Sequence, residues 1–176
     1  MNDADSQSWA RLEHVGITVP DITAATSFFD DVFGTEIIWD MRTKEAMEDP
    51  AVRAVWDNFD LAAAMGVPPG TQITAIRLLM IGGRFLVELF EFEVDAKRRP
   101  PVVPTDFGLQ HLCIQVEDVD ATSERLERAG GTLFDGPVPL FGPPHLEGGR
   151  GRYTRAPWGS TIELMSYPSP PLEPRN

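Results

Sequence analysis

The sequence predicts an α+β fold built from two βαβββ units, and three observations lead there. The stretch EHVGITVPDITAATSFFDDVFGTEI, from Glu13, aligns with QHLCIQVEDVDATSERLERAGGTLF, from Gln110, at a constant offset of 97 residues. Each stretch opens as an alternating strand and runs into a helical segment bounded by Asp and Gly. Each is then followed by three strand-like segments.

At that offset His14 meets His111, Ile17 meets Ile114, Val19 meets Val116, Asp21 meets Asp118, and Gly34 with Thr35 meets Gly131 with Thr132. The opening strands alternate so that Val15, Ile17 and Val19 share one face while His14, Gly16 and Thr18 share the other. Asp21 and Asp118 stand where a helix N-cap belongs, and a glycine closes each helix. The first unit continues with EIIWDM, ITAIRLLMI and RFLVELFEF, the second with TLFDGPV, GRYTRAP and STIELMSY. The final strands correspond as well: VELF carries Glu88 and IELM carries Glu163, each a lone carboxylate among aliphatic neighbours.

From His14 to Glu88 is 74 residues and from His111 to Glu163 is 52, so the first unit holds about 22 extra residues. They fall at about 43–66, where Pro50, the spacing of Val52, Val55, Trp56, Phe59 and Ala63, and Gly66 predict one amphipathic helix. The expected role of this insert is to cover an exposed sheet edge rather than to gate substrate. The whole chain is read as one domain: a first unit at 10–93, a Pro- and charge-rich linker at 94–106, a second unit at 107–167 and an extended tail at 168–176.

Composition bounds the function. With 42% hydrophobic and 24% charged residues the chain has the balance of a globular domain. A formal charge of −12 repels nucleic acid and anionic membrane surfaces, which excludes both as expected partners. No run of apolar residues is long enough for a membrane helix, and the first residues have no signal-peptide pattern, so a cytoplasmic protein acting on a small molecule is expected. The single cysteine, Cys113, lies in an apolar run where buried cysteines are common.

Strand parity places His111 opposite Leu112 and Ile114, and Glu163 opposite Ile162 and Leu164, so these polar residues oppose the apolar faces. Glu88 fits less cleanly, because Leu86 and Phe90 share its face. Two carboxylates turned toward one concavity repel each other unless a cation intervenes, and two neutral imidazoles with two carboxylates balance a 2+ ion. Such a set fills four positions of an octahedral ion and leaves two for water or substrate oxygens. His14, Glu88, His111 and Glu163 are therefore the candidate ligands of one divalent metal, with Ni, Co, Zn, Mn and Fe all compatible. The segment LFGPPHLEGGRGRYTR adds a basic cluster in an acidic chain, from which His145, Arg152 and Arg155 are candidate substrate-binding residues.

Over nearly all of residues 10–167 the sequence resembles the glyoxalase I, bleomycin resistance and dioxygenase superfamily, the vicinal oxygen chelate proteins. The resemblance is carried by EHVGITVPDITAATSFFDDVFG, FLVELFEF, GLQHLCIQVEDVD and APWGSTIELMSYP, in that order. It implies a curled, partly open eight-stranded sheet around a metal site, with the same four ligands, and a homodimer whose site forms within one chain or across two. One departure is Ala156, where many relatives have Asp in the turn before the last strand. The resemblance to glyoxalase I and methylmalonyl-CoA epimerase implies a lyase or isomerase in which the metal stabilises an enolate or enediolate and Glu163, shared with Glu88, transfers the proton. Two alternatives stand beside it: a non-haem Fe(II) extradiol-type dioxygenase, and a metal-free binding or drug-resistance protein on the same scaffold.

Overall fold

The computed structural model describes residues 12–94 and 100–168. Part of the expected linker (95–99) and nearly all of the expected tail (169–176) lie outside the described residues. The fold is mixed α+β with two sheets, and the repeat is visible in their topology. The first sheet has β1 (His14–Val19), β2 (Thr35–Arg42), β3 (Gln72–Ile81) and β4 (Phe85–Glu93) in the order β1-β4-β3-β2. The second has β5 (Leu112–Gln115), β6 (Thr132–Leu133), β8 (Arg150–Arg155) and β9 (Thr161–Ser166) in the order β5-β9-β8-β6, with β7 (Val138–Pro139) pairing β8. In both sheets the opening strand runs parallel to the last one and the remaining pairs are antiparallel. The expected strand in TLFDGPV is split into β6 and β7, and proline at 137 and 139 accounts for the break because it cannot donate to a ladder.

The described residues form two compact units: 12–22 with 35–93, and 23–34 with 94 and 100–168. Helix α1 (Ile22–Phe33) thus belongs mostly to the second unit, and the contacts show why. Phe28 meets Trp158 edge-on and Phe29 meets it at a tilt, with centroids 5.1 and 5.6 Å away, and the Val32 carbonyl accepts from Arg125 Nε. Helix α5 (Val119–Arg128) lies against β8 and β9, burying Leu126 and Thr122. Asp118 caps it as expected, accepting from the N–H groups of Asp120 and Ala121. The closing glycines divide their work differently in the two halves. Gly34 takes the left-handed conformation after α1, whereas after α5 that conformation falls on Gly130, and Gly131 is required for close approach to Leu126.

In the first unit Leu79, Val87 and Leu89 are fully buried, which identifies the core face of β3 and β4. Glu91 shares that face without being stranded: its carboxylate accepts from the Ile22 N–H at 2.8 Å and from the Thr74 hydroxyl at 2.8 Å. The insert is not one helix. It folds as α2 (Thr43–Ala46), α3 (Pro50–Trp56) and α4 (Leu61–Met65), because Asp49 and Asp60 each cap a new helix and Gly66 ends the last one. Nor do α3 and α4 act as an edge cover: Leu61 and Trp56 pack with Ile73, Ile76, Met41, Phe90 and Phe92 on a sheet face. Among the described residues no helix is long and apolar enough to cross a membrane.

Candidate metal centre

Each sheet brings one expected histidine to one expected glutamate. In the first, Gly16 is the register partner of Glu88 and His14 precedes it by two, so both side chains rise from the same face. His14 Nε2 stands 3.1 Å from Glu88 Oε2. In the second, Cys113 is the register partner of Glu163 and His111 precedes it by two; His111 Nε2 stands 3.1 Å from Glu163 Oε2. The equivalence read from the repeat is thus also an equivalence of geometry. Burial removes the ambiguity at Glu88, because Val87 and Leu89 are buried while Leu86 and Phe90 keep partial exposure beside Glu88.

The residue before each histidine orients its ring. The Glu13 carboxylate meets His14 Nδ1, and Gln110 Oε1 lies 2.8 Å from His111 Nδ1. Gln110 is itself tied back, its Nε2 donating to the Pro104 carbonyl at 2.9 Å. With Nδ1 carrying the proton toward these acceptors, Nε2 offers its lone pair toward the glutamate. The hydrogen bond to Glu13, and then the charges of Glu88 and Glu13, raise the His14 pKa against the opposing effect of burial. Sequence reasoning passed over Glu13 and Gln110, although they are the first matched positions of the repeat.

The surroundings of Glu163 also exceed the expected set. Tyr153 is its register partner on β8, and the tyrosine ring sits edge-on to His111 at 5.2 Å. Partial burial, then the charge and hydrogen bond of Glu163, raise the Tyr153 pKa. Cys113 is exposed rather than buried, because parity turns it away from Ile114 and onto the Glu163 face. Although the residue keeps surface exposure, partial desolvation of its thiol, and then the charge and hydrogen bond of Glu163, push its pKa up to about 12, so it stays protonated.

The candidate substrate residues separate. His145 lies in a 3-10 turn, Pro144–Leu146, with its ring 5.9 Å from Tyr167, four residues beyond Glu163 along the chain. Arg152 alternates with Tyr153 onto the opposite side of β8 and donates to the Gly136 carbonyl. Arg155 shares the face of Tyr153 and Glu163, its guanidinium 5.3 Å from the Phe134 centroid. Strand parity alone could have divided these two arginines. The turn before β9 closes without the missing Asp, since Ala156 and Ser160 are bridged by their backbones and Gly159 supplies a positive φ of 103°.

The donor pairs fit a divalent cation. Two ligands at about 2.1 Å on adjacent octahedral positions are separated by about 3.0 Å, close to the 3.1 Å found in each pair. Imidazole with carboxylate is also the mixed N/O set that Mn, Fe, Co, Ni and Zn accept. Among the described residues no group of three or more His, Cys, Asp or Glu side chains converges, so the convergence seen is pairwise.

The chain is similar to several known proteins. The description "Glyoxalase/Bleomycin resistance protein/Dioxygenase superfamily" matches residues 11–164. A 2-epi-5-epi-valiolone epimerase from Actinomyces sp is 31% identical over 166 residues, covering 90% of this chain and 80% of that protein. An ethylmalonyl-CoA/methylmalonyl-CoA epimerase from Cereibacter sphaeroides is 26% identical over 132 residues, covering 75% and 80%. Among solved structures, a glyoxalase family protein from Bacillus cereus superposes with a TM-score of 0.66 at 18% identity, covering 93% of this chain and 97% of the other. The fosfomycin resistance protein FosX from Listeria monocytogenes, solved with Mn(II) and sulfate, gives 0.54 at 16% identity, covering 90% and 93%.

Proposed function

The chain belongs to the Glyoxalase/Bleomycin resistance protein/Dioxygenase superfamily, and on that footing we propose that it is a divalent-metal-dependent epimerase acting at a carbon next to a carbonyl. The observation that carries the reading is the duplicated pair: in each half a histidine Nε2, at the start of the opening strand or just before it, and a glutamate Oε2 on the last strand stand 3.1 Å apart. The two relatives named epimerases support the isomerase class. Their names also supply the substrates to try first, a valiolone-type cyclic polyol ketone and a branched acyl-CoA thioester.

His14, Glu88, His111 and Glu163 are the proposed ligands of one cation. When bound, the cation supplies Lewis acidity that polarises the substrate carbonyl and makes the neighbouring C–H acidic. Epimerisation removes a proton from one side of a carbon and returns one to the other side, so it calls for two proton carriers. Glu163 and Glu88 fill these roles in the proposal. Tyr153, hydrogen-bonded to Glu163, steadies that carboxylate as its charge changes. Gln110 and Glu13 hold the two imidazoles in the ligating tautomer.

The test is incorporation of solvent deuterium into 2-epi-5-epi-valiolone and methylmalonyl-CoA, before and after chelation and after readdition of Mn(II), Co(II) or Ni(II). Exchange that vanishes on chelation and returns with metal is expected. His14→Ala and His111→Ala should lose metal, whereas Glu163→Gln should keep part of it and lose exchange. Full exchange in all three variants refutes the site.

A further inference from the structure

The sheet face that carries Glu163 holds polar chemistry that the metal pair does not use. Arg155 on β8 and Thr161 on β9 are register partners, two residues along from the Tyr153 and Glu163 pair. Strand alternation puts all four on one side of the sheet, with Phe134 joining them through its backbone bond to Tyr153. The other side is the apolar one, where Ile162, Leu164 and Thr154 are fully buried.

The three arginines of β8 have different fates. Arg150 pairs with Asp120; Arg152, on the opposite side of the strand, donates to the Gly136 carbonyl through a terminal nitrogen, while its Nε, like that of Arg155, lacks a hydrogen bond among the described residues. Arg155 rests on the Phe134 ring and has no carboxylate partner among the described residues. Its Nε is withdrawn from water and lacks a hydrogen bond among the described residues. The same holds for the hydroxyl of Thr161, a residue only 5% exposed. Buried donors left without acceptors are rare, and two on facing positions of adjacent strands call for an oxygen between or above them.

We propose that Arg155 and Thr161 form an oxygen-binding subsite that grips the end of the substrate remote from the reacting carbon. The inference rests on the reading of Glu163 as a proton carrier, because it is the offset from Glu163 that gives the subsite its meaning. Two strand residues separate them, about 7 Å, which is the reach of a small substrate from its reacting carbon to its far end. The guanidinium presents a planar fork of donors and the threonine adds one more, a set that takes a carboxylate, a phosphate or a pair of adjacent hydroxyls. Phe134 holds the arginine from below, so the fork is oriented before substrate arrives.

Two probes distinguish the sources of the oxygen: inorganic phosphate for an anionic end and myo-inositol for a polyol end. Their binding is followed by calorimetry on the whole chain, beside Mn(II) binding, for wild type, Arg155→Met, Arg155→Lys, Thr161→Val and Thr161→Ser. At least one probe should bind wild type, weakening about 10-fold or more in Arg155→Met and less in Arg155→Lys. Thr161→Ser should bind more tightly than Thr161→Val, and Mn(II) affinity should stay within about twofold of wild type throughout. Failure of both probes to bind, or equal binding in Arg155→Met and wild type, overturns the subsite. Failure of the underlying reading shows separately, as absence of Mn(II) binding or of deuterium exchange in wild type.

Discussion

Replacing Gln110 by Leu isolates the orientation of one ligand from everything else at the site. Gln110 Oε1 meets His111 Nδ1 at 2.8 Å and its Nε2 is anchored on the Pro104 carbonyl at 2.9 Å, so the amide is held at both ends. Leucine preserves bulk but leaves the imidazole free to turn and to carry its proton on Nε2, which cannot then ligate. A net hydrogen bond of about 0.5–1.5 kcal/mol corresponds to roughly 2- to 12-fold in affinity. Loss of an outer partner to a metal-bound histidine typically costs about 10- to 100-fold. The two ranges meet at about tenfold, which is the expected weakening of Mn(II) binding. Because Gln110 is exposed, the melting temperature should hardly change. Gln110→Glu retains an acceptor for Nδ1 but loses the donor to the Pro104 carbonyl, so its affinity should fall between those of wild type and Gln110→Leu. Calorimetric titration with Mn(II) measures all three proteins against His111→Ala. If Gln110→Leu binds Mn(II) like wild type while His111→Ala does not, the orienting role is refuted; if His111→Ala binds normally, His111 is not a ligand.

Three further outcomes are expected. The His14 pKa is raised chiefly by Glu13, so the stability this group contributes is complete below its unfolded value of 6.5 and is lost as pH rises through the folded value. Metal requires the neutral ring, so uptake should weaken as pH falls through that raised value, and Glu13→Gln should move the onset of Mn(II) binding to lower pH; an unmoved onset removes Glu13 from the account. Gly131→Ala would set a Cβ 2.4 Å from Leu126 Cδ2 and 3.0 Å from the Arg155 carbonyl, which should cost about 1–3 kcal/mol in urea unfolding; unchanged stability would mean that α5 shifts freely. Trp56→Ala removes a half-buried side chain from the Leu61, Ile73 and Ile76 cluster and should cost about 2 kcal/mol, roughly half the value for a fully buried aromatic. The same change should raise KM with little effect on Mn(II) affinity, since that cluster shares the sheet face of Glu88; an unaltered KM would confine the insert to a structural role.

The insert shows where sequence patterning loses its grip. Apolar spacing over residues 43–66 fits one helix, yet Asp49 and Asp60 start two of its three short helices by accepting backbone N–H groups. A cap is worth about 1 kcal/mol, comparable to what a continuous apolar stripe gains over an interrupted one, so spacing alone does not decide. What decides is the sheet beneath, where Met41, Ile76 and Phe90 stand in one register row and Ile73 faces Phe92 beyond the bulge in β3. Short helices can place Trp56 and Leu61 on that surface without forcing a straight rod across it.

The repeat at an offset of 97 residues, with the alternation in its strands, was sufficient by itself to determine the α+β class, the strand-then-helix opening of each unit and the equivalence of His14 with His111 and of Glu88 with Glu163, but not the three helices of the insert or the split of β6 from β7. These are local or periodic properties, and strand parity follows from backbone geometry alone. Only the tertiary structure decided that each histidine meets its own sheet's glutamate at 3.1 Å, that Glu13 and Gln110 orient the rings, and that helix α1 packs with the second unit. It also separated Arg155 from Arg152 by their partners. The physical reason is that parity says which side of a strand a side chain leaves, whereas distances of 3 Å depend on register between strands far apart in the chain, which is set by packing of the whole sheet.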